Sequence, residues 1–526
     1  MADLLLIVGL ISVVVAVSAL AGRLGILSPI LLVVVGIALS YVAFIPQLRL
    51  EPEVILIGVL PPLLYVAAVE TSVPAFRYNL RPILLLAVGL VLFTTAAVGF
   101  AVHMLLPEVP LAATFALGAV VAPPDAVAAT AIARRIGLPR RLVAILEGES
   151  LINDATALVL FRVTVAAATG GAISFLGIAG DALRAAGGGF LLGAVGGLVL
   201  AKIHRKVRDP VLENAVSLLA PFVVYVPAEH LHASGVVAVV VTGLYLGHRY
   251  PTLMSAASRL QMEAFWRLVK FLLEGVVFLL VGLQLRFVVQ DLHEPLGTVV
   301  VTTTIVIVTV VVSRFVWMYP ATYLARLVPR VRARDPTPPV KVPTVLAWAG
   351  MRGVVTLAAA LALPPALAGG REYPRALFIW IAFSVIVATL VLQGLTLPVV
   401  ARWLRVPGDD PKEDALAEAA VQQAAARAAR ERLEREAAGN GQVPDAVLER
   451  LRGKLTDRTN LAWERLGGQQ RETPSTAYSR LRRAMIDAER QVFRQARDES
   501  RIPEEVLRRA QRDLDLEESL LEREDR

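Results

Sequence analysis

Within an otherwise apolar stretch, the run Glu147-Gly-Glu149-Ser150-Leu-Ile-Asn153-Asp154 gathers three carboxylates, a hydroxyl and an amide. Oxygen ligands of this kind suit a hard cation such as sodium, and a carboxylate can give up that cation for a proton. Helical spacing puts Ser150 on the face of Asp154 and Glu149 over Asn153 on the adjoining stripe. Asp154 lies about 13 residues into its apolar run, or roughly 20 Å of helical rise, which is near the middle of a bilayer. A bare carboxylate is costly there, so a proton and a cation compete for one group. That competition suffices for coupled exchange; the alternative is a carboxylate that serves only as a structural hydrogen-bond partner.

A second acid, Asp125, follows Pro123 and Pro124. The prolines donate no amide protons and displace the carbonyls four residues back, at Ala119 and Val120. Carbonyls freed in lipid need a cation or water. The break with its carboxylate therefore reads as part of a sodium site with Asp154, or as a kink whose aspartate caps the following half-helix. Arg352, in Gly350-Met351-Arg352-Gly353, would be very costly unpaired. Glu149 is the acid best placed to meet it, and the two are expected to form a structural ion pair beside the site. Glu274 is read as a further buried, paired group. Arg162 and Arg314 are expected to snorkel to an interface. The six histidines give no ligand spacing; His230-Leu-His232 reads as loop.

These groups need elements that hold them in a membrane. The 526 residues are 56% hydrophobic and 19% charged, too apolar for a soluble protein of this size. Apolar runs near 4–20, 29–45, 54–70, 83–106, 111–132, 141–168, 175–201, 211–228, 233–247, 261–285, 296–325, 343–364 and 376–404 predict about 13 transmembrane helices, the first an uncleaved span. Loops on one side hold eighteen arginines and lysines; those on the other hold five, Arg49, Arg184, Arg286, Arg371 and Arg375. The asymmetry puts the N-terminus outside a cell membrane and the C-terminal tail in the cytoplasm. With the seventh span as linker, spans one to six and eight to thirteen form two sets, each with its fifth member broken. This is the pattern of inverted six-helix repeats around a midplane transport site.

The expected division is therefore a transmembrane domain over 1–405 and a helical cytoplasmic tail over 406–526. The tail carries stripes such as Val447, Leu448, Leu451 and Leu455, then Leu481, Met485 and Val492, with linkers at Gly439-Asn440-Gly441 and Gly467-Gly468. The net charge of +8 reflects cytoplasmic loops rather than nucleic-acid binding. With no cysteine, thiolate metal sites, disulfides and thiol catalysis are excluded.

The segment Glu147–Phe161, EGESLINDATALVLF, resembles the sodium/proton exchangers of the first monovalent cation:proton antiporter family, and three further segments agree in order. They are Leu60-Pro-Pro-Leu-Leu64, Ala122-Pro-Pro-Asp-Ala-Val-Ala128 and Trp348-Ala-Gly-Met-Arg-Gly353. The resemblance implies a homodimer, a moving core with crossed broken helices, and an elevator-like movement. It implies that Asp154 carries cation and proton with Asn153 and Ser150 beside it, that Asp125 is the acid of the unwound segment, and that Glu149 and Arg352 are the buried pair. Two positions depart from the family pattern: Pro124 and Ala126 flank Asp125 where many relatives have threonine and proline, and Val66 stands where many have an acid. Glu70, one turn after Val66, is a weaker candidate together with Glu274. The expected function is sodium/proton antiport without any cofactor and without enzymatic chemistry, with cation, proton and membrane lipid as partners. Potassium/proton antiport, a cation channel and a membrane sensor are the alternatives. One titrating carboxylate beside an amide, Asn153, makes the exchange electroneutral.

Overall fold

The computed structural model describes residues 2–42, 51–170, 175–439, 443–464, 473–499 and 501–524. Among these the regular structure is entirely helical. The chain divides into two compact units, Met1–Gly408 and Asp409–Arg526.

In the first unit each of the thirteen apolar runs is helical over most of its described length. Eight of the described helices are each long and apolar enough to cross a membrane, among them Leu80–Leu105, Arg140–Ala168, Leu296–Tyr323 and Arg375–Leu404. Large apolar side chains such as Leu5, Phe100, Phe190 and Leu296 are exposed on them, as lipid-facing surface requires. Val54–Glu70 keeps Pro61 and Pro62 inside a helix because the turn before them is widened, Leu60 bonding back to Ile55 rather than to the fourth residue.

Packing follows the small residues. Without a hydrophobic drive between helices in lipid, close backbone approach supplies the attraction. Ser28–Ser40 and Ala256–Leu283 meet at Gly36 and Gly282: a Cβ on Gly36 would stand 2.4 Å from the Leu279 carbonyl, and one on Gly282 2.4 Å from that of Val33. Elsewhere Phe175–Lys206, Pro210–His230, Gly235–Leu253 and Val54–Glu70 close around Tyr65, Val224, Val239 and Leu246.

Both breaks are present. The first separates Leu111–Val121 from Ala126–Arg135, and the second separates Lys341–Trp348 from Val354–Leu361. Pro124 biases Pro123 away from helical geometry and neither ring donates, so the first helix stops two residues earlier.

The second unit holds helices Pro411–Gly439, Asp445–Glu464, Pro474–Asp498 and Glu504–Glu524. The last two pair through Ile486, Phe493, Leu514 and Leu521, with Arg482 bidentate to Glu517 at 2.7 Å and bonded to Glu489 at 2.8 Å. Those hydrogen bonds hold the Glu517 carboxyl below its ordinary range. Val447, Leu451, Leu481, Met485 and Val492 are exposed. Arg49, Asn440, Gly441 and Gly467-Gly468 lie outside the described residues.

Gly282→Val should lower the stability of the protein in detergent by about 1–3 kcal/mol or more, because the branched side chain meets backbone. Gly22→Val, at a position open on all sides, should leave the melting temperature unchanged. Equal melting temperatures for the two variants would contradict the close crossing.

Candidate functional site

The two breaks interlock. The Asp125 amide donates to the Met351 carbonyl at 2.7 Å, and a Cβ on Gly353 would fall 1.9 Å from Asp125 Oδ2. Glycine is therefore required at 353 by contact. Asp125 Oδ1 accepts the Val127 amide at 2.8 Å, so the aspartate caps the second half-helix while Oδ2 stays on the Gly353 side. The kink-and-cap alternative thus describes one of its oxygens.

Arg352 is 1% exposed and lies at the open end of the first half-helix. Its Nε donates to the Val121 carbonyl at 2.7 Å, its Nη1 to Gly350 at 2.8 Å, and its backbone amide to the Thr389 hydroxyl at 3.0 Å. A cation at a helix C-terminus meets both an orphaned carbonyl and the negative end of the helix dipole. The freed carbonyl is met by the protein's own guanidinium, at Val121 rather than at Ala119 or Val120.

Glu149 does not take Arg352 as its hydrogen-bonded partner, which corrects the expected pair. Arg314 reaches it instead, Nη1 to Oε1 at 2.6 Å and Nη2 to Oε2 at 2.9 Å, both side chains 2% exposed. Arg314 Nε also donates to the Leu346 carbonyl at 3.1 Å, near the end of the first half of the second broken helix. The expectation that Arg314 snorkels to an interface is corrected with it. The reason is geometric: the fork of Arg314 matches the carboxylate in two parallel bonds, while that of Arg352 is spent on carbonyls. Both arginines were visible as intramembrane charges, but spacing along the chain cannot rank partners on different helices. Arg162 does lie outward, half exposed and paired with Glu229 at 2.6 Å.

Asn153 is fully buried and donates from Nδ2 to the Pro124 carbonyl at 2.7 Å, tying the acidic helix to the first break. Its Oδ1 is buried without a partner among the described residues. Asp154, 8% exposed, accepts no hydrogen bond and forms no ion pair among the described residues, and its carboxylate feels the negative charge of Asp125. Ser150 is half-buried one turn earlier. The arrangement offers a desolvated acid, a second acid and an amide oxygen at the place where two helices are unwound, a set able to hold a small cation or a proton.

Glu274 is half-buried, with Oε1 unpartnered among the described residues and within electrostatic reach of Lys270 and Asp125. Its expected pairing is thus absent at that oxygen. Glu70 is exposed and paired with Lys270 at 3.1 Å.

Residues 9–403 match the model of the family described as sodium/hydrogen exchanger, transmembrane. An uncharacterised Na+/H+ exchanger of Mycobacterium tuberculosis is 36% identical over 98% of this chain and 95% of its own length. A low-affinity Na+/H+ antiporter of Synechocystis is 32% identical over 81% of this chain and 78% of its own. A sodium, potassium, lithium and rubidium/H+ antiporter of Bacillus pumilus is 32% identical over 71% and 58%. The fold is similar to that of the sodium proton antiporter MjNhaP1 of Methanocaldococcus jannaschii, with a TM-score of 0.59 at 19% identity, covering 76% of this chain and 99% of that one.

Removing one partner of the Glu149–Arg314 pair, as in Arg314→Ala, should cost about 3–5 kcal/mol of stability, because it leaves a buried charge uncompensated. Adding Glu149→Ala should cost less than the sum. The same cycle with Arg352→Ala should show the smaller coupling; the reverse order, read from thermal unfolding, would restore the pairing of Glu149 with Arg352.

Proposed function

Because the chain belongs to the sodium/hydrogen exchanger family, we propose that it is a secondary antiporter that exchanges one sodium ion for one proton, with Asp154 as the carrier of both. The observation that carries the reading is the Asp154 carboxylate, buried at mid-helix without a donor among the described residues and within electrostatic reach of a second acid, Asp125. Loading it with either a proton or a cation removes the cost of a bare charge in a dry site. Only one of the two fits at a time, and this mutual exclusion couples the fluxes. Asp125 contributes the oxygen not used in capping, Asn153 its free amide oxygen, and Ser150 its hydroxyl. The Glu149–Arg314 pair and Arg352 position the breaks without touching the ion. Glu274 and Glu70 remain weaker candidates for a path to the site.

The residues over 1–405 form the exchanging body, in this reading a homodimer whose core moves against a fixed part. The distribution of arginine and lysine supports an outside N-terminus and a cytoplasmic tail over 406–526. A second reading, a wider choice of alkali cations including potassium, is favoured by the name of the Bacillus relative.

Asp154→Asn should remove sodium-driven proton movement from reconstituted vesicles while the protein stays folded. Asp125→Ala should be severe as well; normal cation binding by calorimetry with transport lost would reduce Asp125 to a cap. Below neutral pH the half-saturating sodium concentration should rise, approaching tenfold per pH unit as one proton displaces one cation. An amide carries no proton, so Asn153 leaves one titrating group in the cycle. Initial rates should then be flat across imposed diffusion potentials; a systematic slope would show more than one proton per cation.

A further inference from the structure

A cavity of about 170 Å³ lies where Leu80–Leu105 and Arg140–Ala168 begin and Leu296–Tyr323 ends, some 20 Å of helical rise from Asp154. Its charged lining is Arg81, Arg141, Arg326 and Asp335; the rest is largely apolar, with Leu86, Ile145 and Met318 in the wall. Asp335 is shared by Arg141, at 2.6 Å, and Arg326. Arg141 is further fixed by Asn79, which accepts from its Nε at 3.1 Å, and by the Tyr78 ring. Arg326 also donates to the Thr322 and Asp335 carbonyls. Arg81 makes no hydrogen bond or ion pair among the described residues, although it is half-buried beside two other arginines. Burial, with the Arg141 and Arg81 charges, holds the Arg326 guanidinium below its ordinary value against the pull of Asp335. Three cations against one acid leave the polar end of the cavity strongly positive.

We propose that this cavity is a binding site for an anionic phospholipid, whose phosphate engages Arg81 and the Arg141–Arg326 pair while its glycerol and the start of its chains line the apolar wall. The charge balance calls for an anion. A soluble anion would meet the arginines and leave the apolar wall wet; a phospholipid answers both, and the ends of membrane spans are where headgroups lie. A zwitterionic lipid brings its own cation to a place already crowded with them.

The test uses the full chain, purified and delipidated, with binding as the readout, so it does not depend on the transport reading. Phosphatidylglycerol should raise the melting temperature and stay bound through native mass spectrometry, and phosphatidylcholine should do neither. Arg81→Gln should weaken phosphatidylglycerol retention roughly tenfold, the share of one charge-assisted contact. Arg81→Lys should restore part of it, and Arg77→Gln, an exposed charge outside the cavity, should have no effect. Equal retention of the two lipids, an unchanged Arg81→Gln, or a full shift from inorganic phosphate or glycerol 3-phosphate alone would overturn the proposal.

Discussion

Two helices end inside a medium that offers no water to their open ends, and the rest of the transmembrane unit is arranged around that constraint. A freed carbonyl or a lone charge in lipid costs several kcal/mol, so each must find a partner within the protein. Val121 finds Arg352, Leu346 finds Arg314, Pro124 finds Asn153, and Met351 finds the Asp125 amide. Every one of these contacts joins a break to another helix or to the other break. Satisfying the backbone is therefore the same act as assembling the site.

The two buried arginines divide the work. Arg314 crosses beside Gly350, where a Cβ would come within 2.5 Å of its Cδ, and locks the acidic helix to the second broken helix through Glu149. Arg352 locks the two breaks to each other. With both in place, the Asp154 carboxylate and Asn153 Oδ1 are left without a hydrogen-bond partner among the described residues, and both are suited to an exchangeable ligand.

Much of this could be read from the chain because local chemistry dictates it. Proline cannot donate, so Pro123-Pro124 marks a place where a helix can break, although Pro61-Pro62 stay inside one, and Gly350-Met351-Arg352-Gly353 marks the second break. What could not be read were choices between distant groups of equal chemistry. Arg314 and Arg352 offer the same guanidinium, and only the crossing of helices settles which fork meets Glu149. In the C-terminal unit the visible stripe of Leu481, Met485 and Val492 is exposed, while its neighbour through Ile486 and Phe493 packs against Leu514 and Leu521. An amphipathic helix announces a wet and a dry face, but not which of two adjacent apolar edges its partner will choose.

The seat of Arg352 bears on leakage as well as on architecture. Glu149 and Arg314 cancel, and the fixed guanidinium of Arg352 offsets one of the two aspartates at the crossing. If Asp154 is the carrier proposed above, Asp125, Asp154 and Arg352 together carry no net charge with a proton or a sodium ion aboard, and one negative charge with Asp154 bare. Moving that charge through a low-dielectric barrier is penalised where moving the neutral forms is not. Under that proposal, a cation that does not contact the cargo would act as the ratchet against idle strokes, because it makes the unladen carrier the one species the membrane resists.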